Sequence, residues 1–212
     1  MGVMERRRLM LAEAAQSLPP VYRQVNYILA SGDKAVIDTG VPGNNDNLSF
    51  HFKFNVDTFI AYRGFFTNYA SETANCWRLS EGGSSGFIFN VNSRTGSSTP
   101  YSYGSFLNKD TEVTLNKSNL VVYTNGTTYT RAAEITAGTE NSTTIYINSS
   151  RRYARTNTDV IKWYYFQIFD SGNLIRDYIP CCRKSDGKAG FYDLVNHTFK
   201  PSTGTADFTI PA

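Results

Sequence analysis

Two histidines, three cysteines and 18 carboxylates are the side chains of this 212-residue sequence with the chemistry to make or break bonds. Nucleophilic hydrolysis has one formal signature, since Gly82-Gly83-Ser84-Ser85-Gly86 matches Gly-x-Ser-x-Gly. That motif works only when its serine tops a sharp strand-to-helix turn. Here it joins two strand-like runs through a Gly/Ser loop, so it reads as a linker. Glycoside hydrolysis with retention needs two carboxyls about 5 Å apart, which alternating acids on one strand supply. No Glu-x-Asp-x-Glu-like run occurs: Glu112, Glu134 and Glu140 stand isolated, and the Asp residues mostly fall in turns. His51 and His197 each sit in a strand-like context without an evident partner, as surface or cross-strand histidines do. These residues argue against an enzyme.

Metal and redox chemistry fare no better. The loop Gly43-Asn44-Asn45-Asp46-Asn47 is rich in oxygen atoms but holds one carboxylate, whereas Ca²⁺ takes six to eight oxygen ligands. It reads as an Asx-rich turn, and no metal is expected at Asp46. Cys76 stands alone and Cys181 and Cys182 are adjacent. An odd number cannot pair within one chain, neighbours bridge only with distorted geometry, and zinc-type Cys-x-x-Cys spacing is absent. Free thiols on opposite faces of one strand are expected, with folding in a reducing cytoplasm and no cofactor. Arg151-Arg152-Tyr153-Ala154-Arg155 mixes cations with an aromatic, yet no nucleic-acid-binding pattern surrounds it. A net charge of +3 is too small to build a field for nucleic acid or a membrane surface.

Sugar recognition is the remaining chemistry. Pyranose rings stack their C–H faces on aromatic planes, while polar groups around the rim take the hydroxyls. Tyr62-Arg63, Trp77-Arg78 and Tyr101-Ser102-Tyr103 combine both kinds of group and are the candidate platforms. Against this, Tyr62 and Trp77 also suit a core.

The elements that must position these groups are strands. The chain is 41% hydrophobic, with 14 Tyr and 14 Phe against 18% charged residues, a strand-and-turn vocabulary at a length that suits one sandwich. From Asn47 to Val56, Leu48, Phe50, Phe52, Phe54 and Val56 alternate with Ser49, His51, Lys53 and Asn55, which predicts one buried and one wet face. Strands are likewise expected over 59–66, 76–80, 87–92, 112–116, 120–124, 127–130 and 143–148, with Asn125-Gly126 as a hairpin turn. Over 162–169, strict alternation sets Tyr164, Phe166 and Ile168 against Trp163, Tyr165 and Phe169, so both faces read as apolar. Asp170-Ser171-Gly172-Asn173 then turns the chain back along 174–179.

Residues 1–20 differ from the rest. Arg6, Arg7 and Arg8 precede a narrow stripe of Leu11, Ala14, Ala15 and Leu18, ended by Pro19-Pro20. The apolar stretch is too short for a signal peptide, and no run approaches the ~18 residues of a membrane span. The segment is expected to be a short helix or arm that attaches residues 21–212 to an assembly or to other copies of the chain. The six Asn-x-Ser/Thr sequons carry no expectation of glycosylation without a secretory leader.

The run Lys162 to Pro180, followed by Lys184-Ser185-Asp186-Gly187 and Phe191-Tyr192-Asp193-Leu194-Val195-Asn196, resembles the C-terminal half of LamG-like (laminin-G, concanavalin A-like) domains. Val25 to Ile28 and Ala35 to Gly40 resemble their opening strands. The resemblance implies an all-β jelly-roll sandwich of two antiparallel sheets, and it is to the version found in phage and prophage structural proteins of gut bacteria. The implied function is a non-enzymatic virion component, a decoration, fibre or tail-associated domain, made in the host cytoplasm. Its implied partners are other virion proteins, with a cell-surface glycan as a further ligand. A bacterial surface adhesion module that binds glycans is the alternative; a glycoside hydrolase ranks third, because glucanases of this fold class carry the alternating acids missing here.

Overall fold

Phe50, Phe52 and Phe54 set the plan of the molecule. In the computed structural model, which describes residues 18–58, 64–71, 73–82, 86–93, 97–98, 105–149 and 160–211, all three are fully buried. The expected arm, with Arg6, Arg7, Arg8 and Leu11, lies outside the described residues.

Sixteen strands are described: β1 (Tyr22–Gln24), β2 (Ile28–Ser31), β3 (Ile37–Pro42), β4 (Leu48–Val56), β5 (Gly64–Thr67), β6 (Cys76–Glu81), β7 (Phe87–Ser93), β8 (Ser97–Ser98), β9 (Thr111–Leu115), β10 (Asn119–Thr124), β11 (Thr127–Ala132), β12 (Thr144–Ile147), β13 (Val160–Asp170), β14 (Asn173–Arg183), β15 (Ala189–Asp193) and β16 (Thr198–Pro201). They form two sheets. The larger has ten strands in the order β11-β10-β9-β4-β13-β14-β15-β16, with β2 on β13 and β1 on β14. The smaller has six, β3-β12-β5-β6-β7-β8. All pairings among these sixteen strands are antiparallel, and the whole is a jelly-roll sandwich. Among the described residues no helix is long and apolar enough to cross a membrane.

The core lies between the sheets and is aromatic. From the larger sheet, β4 sends Phe50 and Phe54 against Phe66 and Phe65 of the smaller, with ring centroids 4.5 and 4.2 Å apart. Offset and tilted contacts of this kind add to what burial contributes. The turns follow their residue types: Asn125-Gly126 and Ser171-Gly172 both take positive φ at two successive positions, as two-residue hairpins require. All three cysteines are buried and none is in a disulfide, and burial, then Cys182 beside it, pushes the Cys181 thiol up to about 12.

One strand departs from strict alternation, and the departure shapes the surface. In β13 both Trp163 and Phe166 are in the core, although three positions apart they should point to opposite faces. Trp163 pairs with Phe54 and Tyr165 with Lys53, so the register shifts by one residue at Tyr164. This β-bulge inserts a residue and restores the apolar face on its far side. The expectation of two apolar faces is thereby corrected: Ile161, Trp163, Phe166 and Ile168 fill the core, while Lys162, Tyr164, Tyr165 and Gln167 share the outer face.

Buried asparagines fasten what the strands leave open. Asn148, at the end of β12 with φ +58, donates through Nδ2 to the carbonyls of Gly32 and Ala35 at 2.9 and 2.7 Å. Its Oδ1 receives the Trp163 indole N–H at 3.4 Å. Asn141 similarly donates to the carbonyls of Asn68 and Asn75. Two of the six sequons therefore have their amides committed inside the fold.

Candidate functional site

The outer face of the larger sheet carries a connected set of polar and aromatic side chains. Its floor comes from three adjacent strands in order, β9, β4 and β13. Cross-strand register sets Glu112 opposite Lys53 and Lys53 opposite Tyr165, with Thr114, His51 and Gln167 in the next row. These groups are tied together. His51 Nε2 lies 2.7 Å from Glu112 Oε1 and 3.1 Å from the Tyr165 hydroxyl. Its Nδ1 faces Gln167 Oε1 at 3.3 Å, and the Gln167 amide N–H in turn donates to Asp177 Oδ1 at 3.0 Å.

A second cluster adjoins the first. Asp110 receives Lys53 Nζ at 2.8 Å, Asn55 Nδ2 at 3.1 Å and the Tyr164 hydroxyl at 2.8 Å. Lys53 also sits 4.8 Å over the Tyr164 ring, and Tyr27 meets that ring edge-on at 5.7 Å. Lys162 lies 5.5 Å over Tyr27. Tyr123 on β10, opposite Glu112, stands 48% exposed at the end of the row. The bulge makes this cluster, because without it Tyr164 and Tyr165 would lie on opposite faces.

Burial alone would raise the Asp110 carboxyl, but the bonds from Lys53, Asn55 and Tyr164 outweigh it and hold Asp110 below the usual carboxylate range. The same carboxylate, after burial, raises Tyr164 well above an ordinary phenol. A depressed folded-state value stabilises the fold above the unfolded pKa of about 3.9 and ceases to do so as the pH falls through the folded value. In urea denaturation, lowering the pH from about 5 to about 2 is expected to cost the wild type more stability than Asp110→Asn. Equal losses would show that Asp110 has no folded-state preference for its charge.

The structure corrects several sequence expectations here. Glu112 is not isolated: Asp110 and Glu112, two apart, share the outer face, and His51 has Glu112, Gln167 and Tyr165 as partners. The signal was present as Asp-x-Glu before a Val-x-Leu alternation, but the strand start had to be known to read it. His197 lies in a turn with φ +54, not in a strand. Trp77 is a core residue at 0% exposure, packed against Phe50 at 5.2 Å, and has no plane to offer a sugar. Arg78, next on β6, is partly buried. Tyr62, Arg63, Tyr101 and Tyr103 lie outside the described residues, as do Ser84 and residues 151–155.

At two other places the charged groups are already engaged within the fold. Asp46 is held below its usual range by the Asn92 amide and by Lys117 Nζ at 3.0 Å, so its charge is already met. Among the described residues no group of three or more His, Cys, Asp or Glu could hold a metal. A cleft of about 320 Å³ opens at one end of the sandwich between Val41, Asn44, Asp170 and Arg176. Its cation, Arg176, is turned back onto the Thr39 carbonyl at 3.3 Å and Asp193 at 3.6 Å.

No protein-family model and no curated protein matches this sequence. Among solved structures it is similar to the receptor-binding domain of botulinum neurotoxin C/D mosaic serotype, at 13% identity and TM-score 0.45 over 88% of this chain and 58% of that one. It is similar also to the botulinum neurotoxin serotype D ligand-binding domain solved with N-acetylneuraminic acid, at 14% identity and TM-score 0.44 over 76% of this chain and 49% of that one. Domains LG4-5 of the mouse laminin α1 chain match at 13% identity and TM-score 0.44, over 82% of this chain and 49% of theirs. The chain thus spans 58% or less of each of these structures. Such identities concern the fold alone, and the sandwich itself rests on the strand pairing above.

Proposed function

We propose that this chain is a non-enzymatic phage or prophage virion component, a decoration, fibre or tail-associated domain, whose larger sheet reads glycans on its outer face. The observation that carries the glycan reading is the bulge-built cluster: aromatic planes at Tyr27 and Tyr164 set beside the fixed polar groups Lys53, Asp110, Glu112 and His51. Stacking on a tyrosine face with hydroxyls bonded to pre-positioned charges is the chemistry sugars require. The virion reading is supported by the resemblance of Lys162 to Phe199 to phage structural proteins. A hydrolytic use of Asp110 and Glu112 is disfavoured, since one of the pair must act as a protonated acid. Asp110 is held ionised, and Glu112 is engaged by His51.

Binding per site is expected to be weak, millimolar to micromolar or about 4–8 kcal/mol, and visible mainly with multivalent protein. On a glycan array, Tyr164→Ala is expected to weaken the hits at least about tenfold, or about 1.4 kcal/mol. A blank array, or hits unchanged in Tyr164→Ala, would sink the glycan reading. Mass spectrometry of purified particles tests the virion reading separately: the protein's absence would leave the cell-surface adhesion module. Release of reducing ends from a bound glycan would make the domain a hydrolase after all.

A further inference from the structure

The free edges of the two sheets are not alike. In the larger sheet β16 carries Lys200 and ends at Pro201, both of which discourage strand addition. In the smaller sheet β8 is two residues long, and β3 has Gly40 at φ +68 and ends at Pro42. The flank of β3 is also occupied, because the Thr39 carbonyl accepts from Arg176 and from the Tyr178 hydroxyl. β11 is neither short nor broken by a proline or a positive φ, and its one charged side chain, Arg131, is met by Glu134. The strand runs six residues in unbroken register with β10, and only Tyr129 is not exposed.

The hairpin fixes which backbone groups face outward. A two-residue turn makes Thr124 and Thr127 a hydrogen-bonded pair, so residues 127, 129 and 131 spend their N–H and C=O groups on β10. Those of Thr128, Thr130 and Ala132 therefore point away from the sheet, and β10 is the only strand among the described residues that pairs with β11.

We propose that β11 is the pairing edge for a second copy of this chain, joined antiparallel about a two-fold axis through Thr130. The side chains support this register. On the outer face, Thr130 meets the partner's Thr130, and Thr128 meets the partner's Ala132, all small and uncharged. On the other face, Arg131 comes opposite the partner's Tyr129, where a guanidinium and a ring attract. A two-fold through Arg131 would instead oppose two cations. Arg131 can keep Glu134, which it holds at 3.0 Å. Paired in this way, the larger sheet runs through both copies and an exposed edge is removed. The pairing stands whether or not the outer face reads glycans; if it does, the dimer presents two such faces on one surface.

Sedimentation of the full chain is expected to show a dimer, twice the 23.7 kDa of one chain. Thr130→Lys leaves the ladder to β10 untouched and sets two ammonium groups on the axis, so it should weaken the dimer at least tenfold. Thr130→Ser should keep it. As a register test independent of that variant's folding, Thr130→Cys should cross-link to itself under mild oxidation and Thr127→Cys should not. The native thiols are buried and do not compete. A wild type that stays monomeric would overturn the proposal. So would a folded Thr130→Lys that dimerises as the wild type does, or cross-linking at Thr127→Cys in place of Thr130→Cys.

Discussion

Trp77→Ala is expected to destabilise the fold by about 3–5 kcal/mol, the cost of emptying a large buried aromatic site. The indole is fully enclosed in β6 and packs on Phe50 of the opposite sheet, so its removal opens a cavity between the two layers. Its Nε1 also donates to the Asn45 carbonyl at 3.2 Å, which steadies the loop before β4. The backbone N–H of the same residue is held by Asn68 Oδ1 at 2.7 Å, and that bond survives the substitution. With a total stability of about 5–15 kcal/mol for a typical domain, the loss would bring the variant close to unfolding. Urea denaturation, comparing midpoints at constant slope, measures it. A change below about 1 kcal/mol together with lost sugar binding would instead make Trp77 a surface platform.

Asn148→Ala is expected to cost a comparable amount, about 3–5 kcal/mol, for a different reason. One buried amide serves three partners: the carbonyls of Gly32 and Ala35 and the indole N–H of Trp163. Each group left buried without a partner costs roughly 1–3 kcal/mol, and the three losses overlap because they share one cavity. Alanine is in addition strained at φ +58, a conformation asparagine tolerates. Asn148→Asp is the sharper variant, since it replaces the two-proton donor with an acceptor facing two carbonyls. If Asn148→Ala melts within a degree or two of the wild type, the amide is not the clamp that joins β12, the turn at Gly32 and Trp163.

The legible parts of this protein are those encoded by near neighbours in the chain. The alternation from Leu48 to Val56 marks a strand and names its buried face, and Asn125-Gly126 and Ser171-Gly172 mark turns whose positive φ angles follow from residue type. The aromatic content and the spacing of turns were enough for a two-sheet sandwich. The candidate site was not legible in this way. His51, Glu112, Tyr165 and Gln167 come from three strands that are distant in sequence, and their meeting depends on cross-strand register.

Register is a long-range property, decided by which apolar faces close on each other. A single inserted residue at Tyr164 reverses the assignment of everything before it in β13, and no local pattern announces it. The buried asparagines illustrate the same limit: as sequence, Asn148 is an ordinary sequon residue, and only the folded chain brings two carbonyls and an indole to its amide. What the sequence by itself determined is the strand vocabulary, the hairpins and the core face of a regularly alternating strand such as β4, because period-two burial and turn conformations are local physics. What only the tertiary structure decided is which polar groups share a surface and which sheet edge stays open, because both depend on how strands far apart in the chain are set side by side.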